Sequence, residues 1–254
     1  MTGIYFSATG NSRYAVETFC REYDKKSNII SIEDSKVFEA IKEDDTIVFA
    51  YPVQFSTVPR MVRDFVMNNR ELWKDKKVFV IATMGLFSGD GAGQLGRLIK
   101  KCDGKIIGGL HLKMPDSVAD EKALKRPLEE NIKLVNAAKA KIISAVNGMK
   151  ENNPPKEGLN FFYQMAGLFG QRLYFGHKTR NYTSKLKINK ELCIGCGKCE
   201  RLCPMDNIKT VNGKAVAGEK CTMCYRCINM CPNKAVTLLG KRVVEQTVIE
   251  KYIK

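Results

Sequence analysis

Strand-like apolar runs alternate with helical patterns over the first 150 residues of the chain. The clearest run is 46–51, where consecutive Ile, Val, Phe and Ala residues are typical of a strand buried on both faces. Similar runs predict four more strands, at 3–7, 28–32, 77–83 and 105–112. Helical spacing predicts helices over 12–23, after Pro59, over 93–102 and over 127–146, with Gly148 as the C-cap of the last. We therefore expect an α/β fold, a doubly wound five-stranded parallel sheet of order 2-1-3-4-5.

A change of composition after residue 150 divides the chain. The sequence Asn152-Asn153-Pro154-Pro155 indicates a linker, and an aromatic-rich connector follows at 158–176. The predicted domains are 1–150, a linking segment 151–184 and a small α+β domain 185–254. The connector could dock on a membrane surface or a partner. We expect instead that it packs between the two domains, since its four glycines weaken an amphipathic helix.

Cysteine spacing is the strongest chemical signal in the sequence. Cys193-x2-Cys196-x2-Cys199-x3-Cys203-Pro204 recurs as Cys221-x2-Cys224-x2-Cys227-x3-Cys231-Pro232, so eight of the ten cysteines fall within 39 residues. The alternative of two zinc sites is disfavoured, because four-cysteine zinc sites usually pair two Cys-x2-Cys knuckles across a longer gap.

The repeated run resembles that of two-cluster bacterial ferredoxins, in which the fourth cysteine ligates the other cluster. This resemblance implies two [4Fe–4S] clusters with crossed ligand sets. The first cluster takes Cys193, Cys196, Cys199 and Cys231. The second takes Cys221, Cys224, Cys227 and Cys203.

The turn after the first strand is a candidate phosphate site. Short hydroxyl side chains and a glycine open the first helix, where backbone N–H groups and the helix dipole attract an anion. The turn lacks the lysine of nucleoside triphosphatases and a Gly-x-Gly-x-x-Gly pattern. It resembles the flavodoxin loop that holds the phosphate of FMN; an N-cap turn without a ligand is the alternative. Its residues are Ser7, Ala8, Thr9, Gly10, Asn11 and Ser12.

Two later loops are expected around the flavin ring, because ligands of doubly wound sheets lie beyond the carboxyl ends of the strands. Phe55 and Phe87 are the candidate stacking aromatics, although both could instead fold onto the core. The resemblance to flavodoxins implies ring contacts from Tyr51, Pro52, Val53, Gln54, Phe55, Met84, Gly85, Phe87 and Gly89.

Charge bears on the choice of partner. The chain has a net charge of +15, and residues 185–254 hold 14 Lys and Arg against 6 Asp and Glu. The basic residues form neither a long run nor a nucleic-acid reader motif, so we expect redox partner proteins with acidic surfaces and no nucleic acid. The sequence shows neither a signal peptide nor an apolar run long enough for a transmembrane segment, which favours the cytoplasm.

Taken with the Tyr51-Pro52-Val53 turn, these motifs resemble those of the flavodoxin–ferredoxin fusion proteins of anaerobic bacteria and archaea. The resemblance implies electron transfer between two [4Fe–4S] clusters and FMN in anaerobic metabolism. A flavin-dependent reductase of a small acceptor, with the clusters as internal relay, is the alternative. A redox-sensing module is the third possibility. We expect an electron carrier rather than an enzyme, since no acid or base for handling a substrate stands out near the flavin loops.

Overall fold

The computed structural model describes residues 1–169, 173 and 181–253. Five parallel strands form one sheet of order β2-β1-β3-β4-β5, as the sequence predicted. The central strand β3 is buried along almost its whole length, because helices cover both faces of the sheet. The strands are β1 Thr2–Tyr5, β2 Asn28–Ser31, β3 Thr46–Pro52, β4 Lys77–Met84 and β5 Lys105–Lys113.

Two apolar layers sandwich this sheet. One face carries α2, α3 and α4 around a core that contains Phe49 and Trp73, whose rings stack. The other face carries α1 and α5 against Phe79 and Leu110. Within the described residues, no helix combines the length and hydropathy needed to cross a bilayer. The five helices are α1 Asn11–Tyr23, α2 Val37–Glu43, α3 Arg60–Asn68, α4 Gly91–Lys100 and α5 Leu128–Lys150.

The end of α5 differs from the sequence prediction. Gly148 lies inside the helix, which continues to Lys150, and Asn152 takes the left-handed conformation at φ 58°. The Asn153 amide donates to the Gly148 carbonyl at 2.7 Å, so the chain turns back closely over the helix. A side chain on Gly148 would collide with the Asn153 carbonyl. This glycine therefore permits a close approach, and the prediction that it caps the helix is wrong.

The segment after α5 follows the edge of the sheet. The Gly109 amide donates to the Pro155 carbonyl at 2.8 Å, and the Glu157 amide donates to the Gly109 carbonyl at 2.9 Å. Residues 154–157 thus run alongside β5 and cover part of its edge. The next element is the short helix α6, Phe161–Gly167.

The aromatic side chains of α6 are largely exposed, with Phe161 at 66% and Phe162 at 82%. The expectation that the connector packs between the domains is therefore wrong for its described part. Gly167 does lie against Gly89, whose missing side chain allows the two backbones to meet. Residues 170–172 and 174–176 of the connector lie outside the described residues.

The C-terminal region contains two short antiparallel pairs and two short helices. β6 pairs with β9, and β7 pairs with β8. Each helix begins inside one of the two cysteine runs, so the internal repeat of the sequence is also a repeat of structure. The elements are β6 Lys187–Ile188, α7 Lys198–Leu202, β7 Ile208–Val211, β8 Lys214–Ala217, α8 Arg226–Asn229 and β9 Val236–Thr237.

The C-terminal region packs against the carboxyl edge of the five-stranded sheet. The Asp120 carboxylate, in the loop after β5, accepts from three successive amides at 2.6, 3.0 and 3.1 Å, those of Leu238, Leu239 and Gly240. Asn229 donates to the Ser117 carbonyl at 2.8 Å. Farther along, Ile249 and Tyr252 are buried in the core between α1 and α5. After forming the C-terminal region, the chain therefore returns to the five-stranded sheet and ends against α1 and α5.

Candidate cofactor sites

The eight cysteines of the repeat line two separate cavities. In each cavity, three cysteines of one run meet the fourth cysteine of the other run. One cavity is lined by Cys193, Cys196, Cys199 and Cys231. The other is lined by Cys203, Cys221, Cys224 and Cys227. The fold thus brings together the two crossed sets that the sequence predicted.

The spacing within each set suits a cluster better than a single ion. Across the described ranges, no group of three or more His, Cys, Asp or Glu side chains is close enough to hold one metal ion. A zinc site would draw four sulfurs around one atom. A cubane separates them, since each thiolate binds a different iron. The donors are all cysteines and surround a cavity, so the residues present fit a [4Fe–4S] cluster.

Backbone amides point at several of the cysteine sulfurs. Cys203 and Cys231, the fourth cysteines of the two runs, each accept from the amide four residues later at 3.3 Å. Cys193 accepts from Ala215 at 3.4 Å, and that hydrogen bond lowers the pKa of the Cys193 thiol. Burial instead raises the pKa of Cys224 to about 11. Such amides stabilise negative charge on sulfur and tune the potential of a bound cluster.

The two cysteine cavities differ in their access to solvent. Cys196 is exposed, and its neighbours Leu192 and Ile194 are 48% and 61% exposed. Cys224 faces inward, toward the carboxyl edge of the sheet. The first cavity therefore has an exposed cysteine, whereas the second lies within the C-terminal region and has one cysteine that faces the five-stranded sheet.

A third cavity, of about 370 Å³, lies where the C-terminal region covers the carboxyl edge of the sheet. Its volume falls in the range typical of small-molecule sites. Loops after β1, β3, β4 and β5 line it on one side, and the second cysteine run lines it on the other. The predicted flavin residues in its lining are Ser7, Ala8, Thr9, Asn11, Ser12, Pro52, Val53, Gln54, Phe55, Met84, Gly85 and Phe87.

The phosphate-loop end of this cavity fits an FMN molecule. The side-chain Nδ2 of Asn11 donates to the Pro115 carbonyl at 2.8 Å. The Oδ1 of the same side chain is buried and has no hydrogen-bond partner. Gly10 turns the chain at φ 92°, held by its amide donating to the Ser7 hydroxyl at 3.1 Å. The N-terminus of α1 follows directly and favours an anion. The Asn11 Oδ1 can accept from a ribityl hydroxyl, and the helix N-terminus suits the phosphate of FMN.

Three of the predicted flavin residues do not line this cavity. Gly10 lies against Ile249, and its missing side chain leaves room for that contact. Tyr51 is buried in the sheet core, where its hydroxyl donates to the Gly91 carbonyl. Gly89 packs on the connector helix α6. Tyr51 and Gly89 thus lie behind the lining, and Gly10 lines a neighbouring cavity instead.

Other lining residues were not predicted from the sequence. Asp116, in the loop after β5, is mostly buried, and that burial raises the pKa of its carboxyl. Because β5 is parallel to its neighbours, this loop must reach the same edge, and that rule was the available signal. The residues from the C-terminal region carried no such signal. The additional lining residues are Thr83, Leu86, Pro115, Asp116, Ser117, Val118, Leu124, Met223, Cys224, Tyr225 and Leu239.

Comparison with protein families agrees with these three cavities. Residues 4–101 match a model described as a flavodoxin domain, and residues 185–241 match one described as a 4Fe-4S dicluster domain. The chain is a fusion of a flavodoxin domain and a 4Fe-4S dicluster domain. These two domains imply FMN and two [4Fe–4S] clusters as cofactors, and they support a role in electron transfer.

Relatives of the fusion protein cover its ferredoxin part. A ferredoxin of Methanothermococcus thermolithotrophicus is 33% identical over 55 residues, 20% of this chain and 92% of that one. A ferredoxin of Methanocaldococcus jannaschii is 38% identical over 56 residues, 20% of this chain and 73% of that one. A component of an ion-translocating oxidoreductase complex of Methanosarcina acetivorans is 47% identical over 47 residues. That match spans 18% of this chain and only 18% of the length of the component.

Solved flavodoxins resemble the first part of the fusion protein. The match to reduced Megasphaera elsdenii flavodoxin is 20% identical and has a TM-score of 0.41. It spans 56% of this chain and 99% of that flavodoxin. The match to an archaeal flavodoxin is 16% identical and has a TM-score of 0.40. It spans 59% of this chain and 99% of that flavodoxin.

The ferredoxin part of the fusion protein contacts the flavin cavity through one cysteine. Cys224 lines both the cysteine cavity and the flavin cavity, and so does Tyr225 beside it. Gln54, in the loop after β3, donates to the carbonyls of Thr222 and Met223 at 3.1 and 3.2 Å. The second cysteine run is thus fixed directly over the predicted ring site.

Arg226 ties the same cysteine run to the phosphate loop. Its guanidinium donates to the Ser7 carbonyl at 2.9 Å and to the Leu202 carbonyl at 3.2 Å. It also forms a two-pronged ion pair with Glu33, after β2. The Glu33 carboxylate raises the pKa of Arg226 above its ordinary value, against the effect of burial. One side chain therefore joins the ligand loop of a cluster to both β1 and β2 of the flavodoxin part.

Proposed function

We propose that the protein relays electrons between an external redox protein and FMN through its two clusters in series. The observation that carries this proposal is the position of Cys224, which lines both the flavin cavity and the cavity of the second cysteine set. Electron tunnelling weakens steeply with distance. A ligand shared between the two linings gives a short path, with no mobile carrier between cluster and flavin.

The exposed end of this path lies at the first cysteine set. Cys196 is accessible, and the apolar side chains of Leu192 and Ile194, close to it in sequence, are also exposed. We assign Cys193, Cys196, Cys199 and Cys231 to the cluster that exchanges electrons with a partner. Cys203, Cys221, Cys224 and Cys227 then hold the cluster beside FMN.

The chain's own groups hold the two ends of the path in place. The phosphate loop binds the flavin at the N-terminus of α1, and the Asn11 side chain fixes the loop to Pro115. Gln54 and Arg226 secure the second cysteine run above the cavity. FMN supplies the exchange between two-electron and one-electron steps, since each cluster carries one electron at a time.

Charge favours a partner protein with an acidic surface. The C-terminal region carries a net charge of +8, and Lys190 and Lys198 flank the exposed cysteine set. Complementary charge raises the rate of encounter between redox proteins. None of the ten cysteines forms a disulfide, and eight are assigned to the clusters, which suits a reducing compartment such as the cytoplasm.

A flavin-dependent reductase is the second candidate, and one part of the cavity favours it. Leu86 and Phe87 line the flavin cavity and are 53% and 45% exposed, so a small acceptor has a route to the ring. Asp116 lies in the same lining, and its raised pKa suits a proton donor. In this case the clusters deliver electrons to a substrate reduced at the flavin.

Anaerobic purification with iron, sulfide and flavin analysis tests the proposal. We expect about eight irons and one tightly bound FMN per chain. A purified acidic ferredoxin should then reduce the flavin without any small acceptor. A chain that binds eight irons but no FMN would refute the relay. Turnover of a small acceptor that is lost in Asp116→Asn, with flavin reduction intact, would favour the reductase.

A further inference from the structure

The two cysteine loops share one backbone shape but differ in the residues that hold it. In the first loop, Cys193-Ile194-Gly195-Cys196-Gly197-Lys198-Cys199, both glycines adopt left-handed conformations, at φ 68° and 67°. The second loop reads Cys221-Thr222-Met223-Cys224-Tyr225-Arg226-Cys227. Met223 and Tyr225 occupy the two glycine positions at φ 57° and 64°.

This substitution is unfavourable for the backbone. A side chain in the left-handed region crowds the following carbonyl, so glycine is the residue expected there. The first loop follows that rule. A side chain on Gly195 would in addition collide with the Gly213 carbonyl in the hairpin between β7 and β8. The second loop places a methionine and a tyrosine in the same conformation, and such strain persists where the surrounding structure or function requires it.

The position of the two strained residues supplies the reason. Met223 and Tyr225 both line the flavin cavity, whereas Gly195 and Gly197 line only the exposed cysteine cavity. Both side chains are more than nine-tenths buried and belong to the apolar core of the ferredoxin part. The loop after β3 reaches the same place, since Gln54 donates to the Met223 carbonyl.

Tyr225 also extends toward the loop after β5. The carboxylate of Asp120 lies near its hydroxyl. The aromatic side chain thus spans from the second cysteine set to the residues that close the far end of the flavin cavity. A glycine at this position would leave the cavity open between these two parts.

We propose that Met223 and Tyr225 are flavin-retaining residues, which the second cysteine loop carries in place of glycines to close the FMN cavity. This inference rests on the proposed function, because it requires FMN in that cavity. It assigns the two residues to cofactor binding rather than to cluster assembly, although they alternate with cluster ligands. The strained backbone is the cost of placing large side chains at positions that the cluster loop reserves for glycine.

A matched pair of variants tests this assignment. Tyr225→Ala and Gly197→Ala each place an alanine at the same loop position with the same left-handed backbone, one beside the flavin cavity and one away from it. The backbone around Gly197 has room, since a Cβ there meets only the flexible end of Arg201. The intact anaerobic protein is used, and iron content and the Kd for FMN are measured from the fluorescence of released flavin.

We expect Tyr225→Ala to keep about eight irons and to raise the Kd for FMN about tenfold, while Gly197→Ala leaves it unchanged. Met223→Ala should also weaken FMN binding, and it carries the test if Tyr225→Ala fails to assemble its clusters. An unchanged Kd in iron-replete Tyr225→Ala and Met223→Ala would overturn the inference. Failure of the wild-type chain to bind FMN would instead overturn the proposed function.

Discussion

Arg226 and Glu33 form a two-pronged ion pair across the boundary between the two cofactor-binding parts, with N–O distances of 2.7 and 2.6 Å. Both side chains are mostly buried, at 14% and 27% exposure. Arg226 lies within a cluster-ligand loop and also donates to the phosphate loop. The pair therefore fixes the second cysteine loop relative to the phosphate loop.

Removing Glu33 should loosen this boundary. Glu33→Ala leaves the Arg226 charge largely buried without its partner, and we expect a loss of about 2 kcal/mol in stability. The midpoint of thermal unfolding under anaerobic conditions reports the change. Glu250→Ala is the matched control, because the pair it forms with Arg13 also joins α1 to the C-terminal region but is far more exposed. Glu250→Ala should lower the free energy of unfolding by less than about 1 kcal/mol. Equal shifts in the two variants would contradict the assigned role.

Crossed ligation predicts which cluster each fourth cysteine supports. Cys203→Ser should damage the cluster held by residues 221–227, and Cys231→Ser should damage the one held by residues 193–199. In the proposed relay only the first of these lies beside FMN, so Cys203→Ser should relieve quenching of the bound flavin's fluorescence more than Cys231→Ser does. Iron content per chain checks that each variant loses one cluster. The reverse pattern of quenching would show that each run ligates its own cluster.

The phosphate loop can be tested without disturbing its shape. Thr9→Val removes a hydroxyl from the flavin cavity and keeps the volume of the side chain. A hydrogen bond to a charged group contributes about 2 kcal/mol, so the Kd for FMN should rise about tenfold to thirtyfold. Riboflavin, which has no phosphate, provides the control and should bind both proteins equally. A parallel loss of riboflavin affinity would place the phosphate elsewhere.

His111 predicts a pH dependence of stability. Burial lowers the pKa of this histidine from 6.5 to about 4, and its neutral ring accepts from the Ala92 amide at 3.2 Å. Glu157, Lys141 and Asp90 are the charged groups around it. Because the folded pKa is the lower one, its contribution is complete above about pH 6.5 and disappears as the pH falls toward 4.

His111→Gln should remove that dependence. At pH 5 the wild-type protein should have lost about 2 kcal/mol of the contribution from this one residue. Thermal unfolding midpoints across this range compare the two proteins. The wild-type midpoint should fall more steeply with acidification than that of the variant. Parallel curves would show that His111 is protonated equally in the folded and unfolded states.

The sequence predicted the sheet well because an apolar run such as that in β3 indicates a strand buried on both faces. The spacing identified the two cysteine runs because it is a local property of the chain, and the resemblance to two-cluster ferredoxins implied the crossed sets. The sequence did not predict the close turn over Gly148, since the Asn153 contact depends on how the chain returns to β5. Nor did it indicate that α6 exposes its aromatic side chains.

The lining of the flavin cavity shows the same division. Residues from the loops after β1, β3 and β4 followed from the rule for parallel sheets. Met223 and Tyr225 did not, because only the folded chain brings the second cysteine loop over that edge. A comparison of the two loops did hold a signal, namely a methionine and a tyrosine where the first loop has glycines. Only the left-handed φ angles of Met223 and Tyr225 showed that this difference strains the backbone.

Rapid reduction of the clusters in the intact protein tests the relay most directly. A photochemical pulse introduces one electron under anaerobic conditions, and the flavin absorbance is followed afterwards at several protein concentrations. We predict that flavin reduction proceeds with a rate constant independent of protein concentration, and that Cys203→Ser abolishes this phase. A rate proportional to protein concentration, or an unchanged rate in Cys203→Ser, would contradict electron transfer through the cluster beside the flavin.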